Sequence, residues 1–348
     1  MSRDELAKAV GITRQSVRLI ETGEVCPSAL VALRIAKVLT TTVEEIIADN
    51  DSREVEARLI FQDATHEFQP RVYVSELGGE WVARSANYEE VDFLTQPVHG
   101  IANKSAYKHD DRLQVKLFQR TNDVARTVFV SGCEIGLGLL SHYAGSRSAT
   151  ERAIWFNRSN RQALRDLESS VAHIAAIHYS PEQPLEWTGS SMHIFHFVRE
   201  EMGWIVPAGN PQGVKGAQDL LSGRLRLINR ERGSGARDFL DAQLRAVNAV
   251  SANILGYNVE AHGHLSVAAA VANKLADVGV GHASAAAALG LSFIPVQQET
   301  CVLLIPDSLV NKAPIQNFLE TLMTDRFRME LQSLAPYDIS QTGMQIHV

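Results

Sequence analysis

Apolar residues at the start of the chain recur at helical spacing: Leu6, Ala7 and Val10, then Val17 and Ile20. Between the two runs, Gly11 can take the left-handed conformation that ends a helix. Ser2, with Glu5 three residues later, has the spacing of a capping box; Thr13 stands where the second helix needs its N-cap, and Gly23 where that helix stops. After Pro27-Ser28 a third helical pattern sets Leu30, Leu33, Ile35, Ala36 and Leu39 on an apolar face, and a fourth covers Val43, Ile46 and Ile47. Together these runs predict a small all-α head.

The period then changes. Asp49 to Glu54 is a polar run that reads as a linker. From Arg71 apolar residues alternate, with Val72 and Val74, a turn at Leu77-Gly78-Gly79-Glu80, then Trp81 and Ala83, which predicts a hairpin. Residues 55–125 read as a β-rich connector or dimer surface with no recognisable site. After Arg126 the pattern becomes strand, glycine-bearing loop, helix, repeated: strands at Thr127–Val130, Ile154–Phe156 and His173–Ile177, and again at Leu225–Asn229. Helix faces follow at Ile135, Leu139, Leu140 and Tyr143, at Leu164 and Leu167, and at Phe239, Leu240, Leu244 and Val247. Such alternation predicts a parallel sheet with ligands at the carboxyl ends of its strands.

The length of 348 residues suits about two domains, and 45% hydrophobic with 21% charged residues describes an ordinary globular chain. No apolar run approaches the ~18 residues of a membrane span, and the first residues lack the apolar stretch of a signal peptide, so a cytoplasmic protein is expected. Cys26, Cys133 and Cys301 form no CxxC pair, so neither a disulfide framework nor a zinc cluster is written in them. Cys133 falls near a helix start, where a thiol can be acidic, but it reads better as a small packing residue. His173, His178, His193 and His196 are scattered without evident carboxylate partners, so they read as structural, and no metal or cofactor is expected. A net charge of −7 excludes a protein coated in nucleic acid and leaves room for a small reading head.

The run Asp4 to Gly23, with small Ala7, the turn at Gly11 and apolar Val17 and Ile20, resembles the lambda-repressor-like (Cro-type) helix-turn-helix family, as does Pro27 to Ile47. The resemblance covers about one seventh of the chain and begins at the family's second helix, so the first helix is expected to be missing from this head. It implies that Thr13, Arg14, Gln15, Ser16 and Arg18 face the major groove of operator DNA or the adjoining phosphates. Arg and Gln can make bidentate contacts to guanine and adenine edges, and Thr and Ser can reach phosphate. Residues 1–49 carry six Lys and Arg against seven Asp and Glu, so bulk charge cannot supply affinity, and a homodimer is expected. The alternative is a helical interaction domain that has lost DNA binding.

Gly233-Ser234-Gly235 opens a helix, and free N–H groups at a helix start favour an anion. Five arginines and one glutamate between Arg224 and Arg237 give a local charge of +4. The bland alternative is a capping turn with solvated arginines. Gly209-Asn210-Pro211, Ile228 to Arg237, Gly256-Tyr257, His264 to Ala272, Ala276 to Gly281, Tyr337-Asp338 and Thr342-Gly343 together resemble the periplasmic-binding-protein-like domain of molybdate-type regulators, over residues 127–345. That resemblance implies a type II fold of two α/β lobes with a solute in the cleft. Carried over, the cleft loops are Ser131 to Glu134, Ser159 to Arg161, Gly233 to Arg237, His262 to His264 and Gly281 to Ser284. The implied ligand residues are Ser131, Gly132, Cys133, Ser159, Asn160, Arg161, Arg232, Gly233, Ser234, Gly235, Ala236, Arg237, His264 and His282. Glu134 departs from the pattern: a buried carboxylate repels an oxyanion, so it points away, pairs with an arginine, or marks a ligand with a cationic part.

The whole reads as a helix-turn-helix head (1–49), a linker and β-rich connector (50–125) and a ligand-binding domain (126–348). This is the make-up of a one-component transcription regulator that senses a small anion such as molybdate or tungstate. Two other readings stand beside it. One is a cytosolic binding protein whose head no longer reads DNA. The other is an enzyme, for which no nucleophile elbow, Walker loop or metal triad is found.

Overall fold

The computed structural model describes residues 2–22, 24–43, 53–60, 70–86, 96–103, 112–146, 151–181 and 191–346. The chain divides between Ser52 and Arg53 into two compact units. The first contains α1 (Arg3–Val10), α2 (Arg14–Glu21) and α3 (Ala29–Leu39). Ser2 and Glu5 form the expected capping box, Gly11 closes α1 in the left-handed region at φ 78°, and Thr13 and Ser28 cap α2 and α3. Ala7, Val10, Val17, Ala32, Ile35 and Ala36 are buried. The expected apolar face of α3 is only partly correct, because Leu30, Leu33 and Leu39 are exposed. The buried stripe runs instead through Ala32, Ile35 and Ala36, at the i, i+3, i+4 spacing of one helix face. Gly23, Ile46, Ile47 and the linker residues 49–52 lie outside the described residues.

The second unit begins with a closed five-stranded barrel, order β1-β3-β2-β4-β5, from β1 (Glu54–Ile60), β2 (Arg71–Leu77), β3 (Glu80–Ser85), β4 (Gly100–Ala102) and β5 (Arg112–Leu117). Glu54 is therefore strand rather than linker. The hairpin forms where expected, with Leu77 opposite Glu80 around Gly78 and Gly79, both at positive φ. One side of the barrel's strands encloses Val55, Ala57, Leu59, Val72, Val74 and Leu113, while Tyr73, Leu77 and Val82 join Val128, Phe129 and Val130 of the following domain in one core. Ser75 Oγ donates to Thr127 O at 2.6 Å. Arg84, 1% exposed, meets Asp166 Oδ2 and Ser131 Oγ at 3.1 Å and lies 3.6 Å over the Phe156 ring. The barrel is thus built into the domain beside it.

That domain is a continuous sheet with two cores. In the first lobe β6 (Thr127–Gly132) lies between and parallel to β7 (Arg152–Asn157) and β8 (Ile174–Tyr179); in the second, β10 (Leu227–Arg230) lies between and parallel to β11 (Glu260–Ala261) and β12 (Val278–His282). Each lobe is bordered by an antiparallel crossing strand, β13 (Ser292–Pro306) beside β8 and β9 (Met192–Val206) beside β12. These 15-residue strands pair from Ser292↔Val206 to Pro306↔Met192 and so run through both lobes. A short β14 (Gln345–Ile346) also pairs with β9. The repeated order of second, first and third strand, then crossing strand, is the expected type II arrangement. Apolar clusters centred on Phe129, Phe156 and Phe318 in one lobe and Trp204, Phe239 and Val280 in the other remain separate. A Cβ at Gly203 would fall 2.1 Å from Ile294 O, so the crossing strands need glycine there. Bulges interrupt the β13 register between Pro295 and Gln297 and between Cys301 and Val302. No described helix is long and apolar enough to cross a membrane.

Arg84→Ala strips Asp166 of its closest buried counter-charge and should lower stability by about 3 kcal/mol, as when one member of a buried ion pair is removed. Urea unfolding checks this; an unchanged midpoint means that the barrel is tethered to the lobe rather than built into it.

Candidate functional site

In the head, the Thr13 hydroxyl accepts from Ser16 N at 3.0 Å and lies 2.7 Å from Ser16 Oγ, so both side chains help to start α2. Arg14, Gln15 and Arg18 are exposed on the same helix, whose Val17 is buried. Arg14 Nη1 lies 3.4 Å from Asp4 Oδ2 in an ion pair weakened by exposure.

In the second unit, loops at the carboxyl ends of the parallel strands meet the middles of the crossing strands. Cys133 follows β6, Ser159 and Asn160 follow β7, His178 lies near the end of β8, Arg230 ends β10, Ser234 to Ala236 open the next helix, His264 starts another, and His282 ends β12. With Met202 of β9 and Glu299 of β13 they enclose a room of about 10 Å³, enough for one water or small ion. Gly233, at φ +88°, makes the turn that brings Ser234 to the start of helix Gly235–Ala246. Ser234 caps that helix by accepting from Arg237 N, which leaves the first-turn N–H groups of Gly235 and Ala236 at the cleft.

Of the fourteen residues that the sequence assigns to the cleft, Cys133, Ser159, Asn160, Ser234, Gly235, Ala236, His264 and His282 line this room. The others are turned elsewhere. The Ser131 hydroxyl is held by Asp166 and Arg84, and Gly132 O accepts from Trp155 Nε1 and Arg158 N. Arg161 is exposed and pairs with Asp238; Arg232, 82% exposed, faces Glu260. Arg237 donates to Arg230 O and Glu260 and stacks on Tyr257. The expected +4, in which Glu231 beside Arg230 is already counted, is about halved by Asp277 beside Arg226 and by Glu260 beside Arg232 and Arg237. Arg230 lines the cleft, and its Nη1 is buried without a hydrogen-bond partner. Asn160 lines it as well, though its amide holds the His178 backbone at both N and O.

The strongest departure from the sequence reading is an acid–imidazole cluster. Glu134, fully buried, receives hydrogen bonds from Tyr337 Oη and Gly136 N and lies 3.2 Å from His178 Nε2. Among the described residues no arginine pairs with it. Glu200 of β9 has His282 Nδ1 at 2.9 Å, and His282 Nε2 donates to Glu299 at 3.0 Å. The His178 and His264 rings flank His282, with centroids 4.3 and 3.9 Å away. Burial, then neighbouring Glu200, raises the Glu134 carboxyl. Burial disfavours charge on Glu200 too, but the His282 imidazolium outweighs it and holds that carboxyl well below its usual range. Burial likewise opposes charge on His282, and Glu200 overcomes it, lifting His282 to about 10. His264 is held well down by burial and by His282.

His178 therefore has the carboxylate partners that the sequence does not reveal, and its reading as merely structural is corrected. His173 is structural: its Nδ1 accepts from Phe129 N inside the lobe. His193 pairs at the surface with Asp307, and His196 lies outside the cleft. Glu200, Met202, Arg230 and Glu299 were missed. The sequence carried little signal for them: Glu200 stands between Arg199 and Glu201 in a charged stretch, and Glu299 lies two residues before the apolar run Cys301–Ile305.

A two-lobed α/β domain with its polar residues gathered at the crossing strands is a solute-binding domain, and here it follows a helix-turn-helix. Residues 141–323 match the family described as PBP superfamily domain and residues 1–46 the helix-turn-helix family; the chain belongs to the PBP superfamily domain family. It is 27% identical over 228 residues to YvgK of Bacillus subtilis, an uncharacterized protein, covering 63% of this chain and 73% of that one. Its head is 42% identical over 45 residues to YgzD of the same organism, an uncharacterized HTH-type transcriptional regulator, covering 13% of this chain and 68% of the other. Among solved structures, a putative phosphate ABC transporter substrate-binding protein with bound phosphate from Clostridium perfringens aligns with a TM-score of 0.46 at 11% identity, over 60% of this chain and 98% of that one. The two domains together make a ligand-binding transcriptional regulator.

Burial pushes His173 and His99 down to about 3, so both stay neutral in the folded protein where the unfolded chain takes up protons. Their contribution to stability is present above about pH 6.5 and is lost as pH falls toward 3. His173→Asn keeps an acceptor for Phe129 N and should flatten the acid side of the stability–pH curve; chemical unfolding at several pH values from 7 downward measures the slope.

Proposed function

We propose that the chain is a one-component regulator acting on DNA inside the cell. A dimer of heads sets Arg14, Gln15, Ser16 and Arg18 in successive major grooves, with Thr13 beside phosphate, and a small solute in the cleft alters operator affinity. The observation that carries this reading is convergence: eight residues assigned to the cleft from sequence, drawn from segments far apart in the chain, line one room at the strand ends. We read the domain as a receptor rather than an enzyme.

The ligand we favour is a small anion, an oxyanion such as molybdate or tungstate, for which the room of about 10 Å³ has to widen. It sits on the N–H groups of Gly235 and Ala236, with Ser159 and Ser234 beside them. The unpartnered Arg230 Nη1 supplies the counter-charge, in place of Arg237 or Arg232, the arginines first expected there.

Calorimetry on the full chain with a panel of oxyanions tests the seat. Arg230→Ala should weaken the best binder more than tenfold, ~1.4 kcal/mol, and Arg237→Ala, which faces Glu260, by less than threefold. The reverse order rejects this seat. In fluorescence anisotropy with operator DNA at fixed salt, Gln15→Ala should cost ~1–3 kcal/mol. Saturating ligand should shift operator affinity by ~1–3 kcal/mol. Operator binding indifferent both to Gln15 and to every solute rejects the regulator.

A further inference from the structure

We propose that Glu134, His178, Glu200 and His282 form a binding site for one divalent transition-metal ion in the cleft. This rests on reading the cleft as the ligand-receiving site and names a ligand class for its acid–imidazole wall.

The first support is convergence. One ligand atom from each of the four side chains lies within 4.8 Å of all the others, and all four residues are buried. The measured separations are 3.2 Å between His178 Nε2 and Glu134 Oε2, 3.6 Å between His178 Nε2 and Glu200 Oε1, and 2.9 Å between His282 Nδ1 and Glu200 Oε1. A tetrahedral ion with ligands at ~2.0–2.1 Å needs ligand atoms about 3.3 Å apart. These three edges bracket that length.

The second support is an orphaned atom. Glu200 Oε1 is buried with no hydrogen-bond partner, although ring nitrogens of both His282 and His178 are near it. Without metal the His282 imidazolium 2.9 Å away balances the charge of this oxygen, and a bound cation takes over that role once the imidazole gives up its proton.

The third support is that the other polar atom of each side chain is held from behind. Glu134 Oε1 accepts from Tyr337 and Gly136 N; His178 Nδ1 lies 3.7 Å from Cys133 Sγ; Glu200 Oε2 accepts from Ser284 N at 3.4 Å; His282 Nε2 donates to Glu299 at 3.0 Å. The carboxylate–imidazole pair of Glu299 and His282 fixes which ring nitrogen is left to bind a metal, a usual supporting contact in such sites. Two imidazoles with two carboxylates suit zinc, cobalt or nickel better than magnesium or calcium, which take all-oxygen sites. Binding exchanges protons for metal at the imidazoles, so affinity must rise with pH.

The test uses the full-length protein, stripped with chelator and titrated with Co²⁺ under visible absorption, then with Zn²⁺ in competition. One equivalent should bind with the intense bands of four-coordinate cobalt, be displaced by zinc, and bind more tightly at pH 8 than at pH 6. Glu200→Gln and His282→Gln should weaken binding at least thirtyfold. Glu299→Gln, which leaves all four ligands in place, should weaken it about tenfold and shift the cobalt spectrum. His193→Gln, at the surface pair with Asp307, should change nothing. Thermal unfolding of each variant identifies any loss of fold, and the wild-type pH dependence stands without mutation. Less than one equivalent bound to wild type, or wild-type affinity in both Glu200→Gln and His282→Gln, overturns the site. Operator binding that answers to oxyanions while no metal is taken up overturns the metal alone and leaves the regulator standing. Metal uptake through these residues without any effect on operator binding supports the site and counts against the regulator.

Discussion

Glu200 and Glu299 stand opposite each other on β9 and β13, in the middle of the two long strands that run through both lobes. Two carboxylates at that spacing, away from water, repel strongly unless positive charge lies between or beside them. His282 meets that need by touching both, and His282 is itself the last residue of β12 in the second lobe. Glu134 and His178 close the group from the first lobe. The electrostatic balance of the cleft is therefore shared between the two lobes at the strands that join them.

The same constraint orders the surroundings. Helices begin at Gly136 and at Ala283, and one first-turn N–H of each, from Gly136 and Ser284, is taken by Glu134 and Glu200. Two helix starts that could have held an external anion are thus filled by the protein's own carboxylates. The start at Ser234 keeps its N–H groups, and there the arginine with an unpartnered nitrogen is found. The cleft is divided into an acid–imidazole side and a donor side, and a solute-binding fold acquires chemical character from which helix starts remain open.

Local features were legible in the sequence and cross-chain ones were not. Caps at Ser2, Thr13 and Ser234, the turns at Gly11 and Gly78-Gly79, and the strand–loop–helix repeats all depend on residues a few positions apart, and all appear. The exposed Leu30 and Leu33 show the limit of periodicity: two stripes of α3 were apolar enough to be the inner one, and small Ala32 and Ala36 pack closer. Arg232 and Arg237 were misplaced because sequence records charge but not the Glu260 that absorbs it. Glu200 and Glu299 were missed because a charged residue on a strand reads as its solvent face, whereas both are buried between more exposed neighbours, and their partners are as much as 82 residues away along the chain. Arg84 is the same case in the barrel, whose role as a wall of the first lobe depends on Asp166.

The two breaks in the β9–β13 ladder fall on either side of Glu299, one where β13 carries an extra residue, Val296, and the other where β9 does, Phe197. A bulge is where a strand bends most easily, since its ladder is already broken there. Between them Gln297 to Cys301 pair without a break with Met202 to Val198, and Glu200 and Glu299 sit at the centre of that unbroken stretch. The bends on either side come from opposite strands, so the carboxylates stand on the straightest part of the join between the lobes.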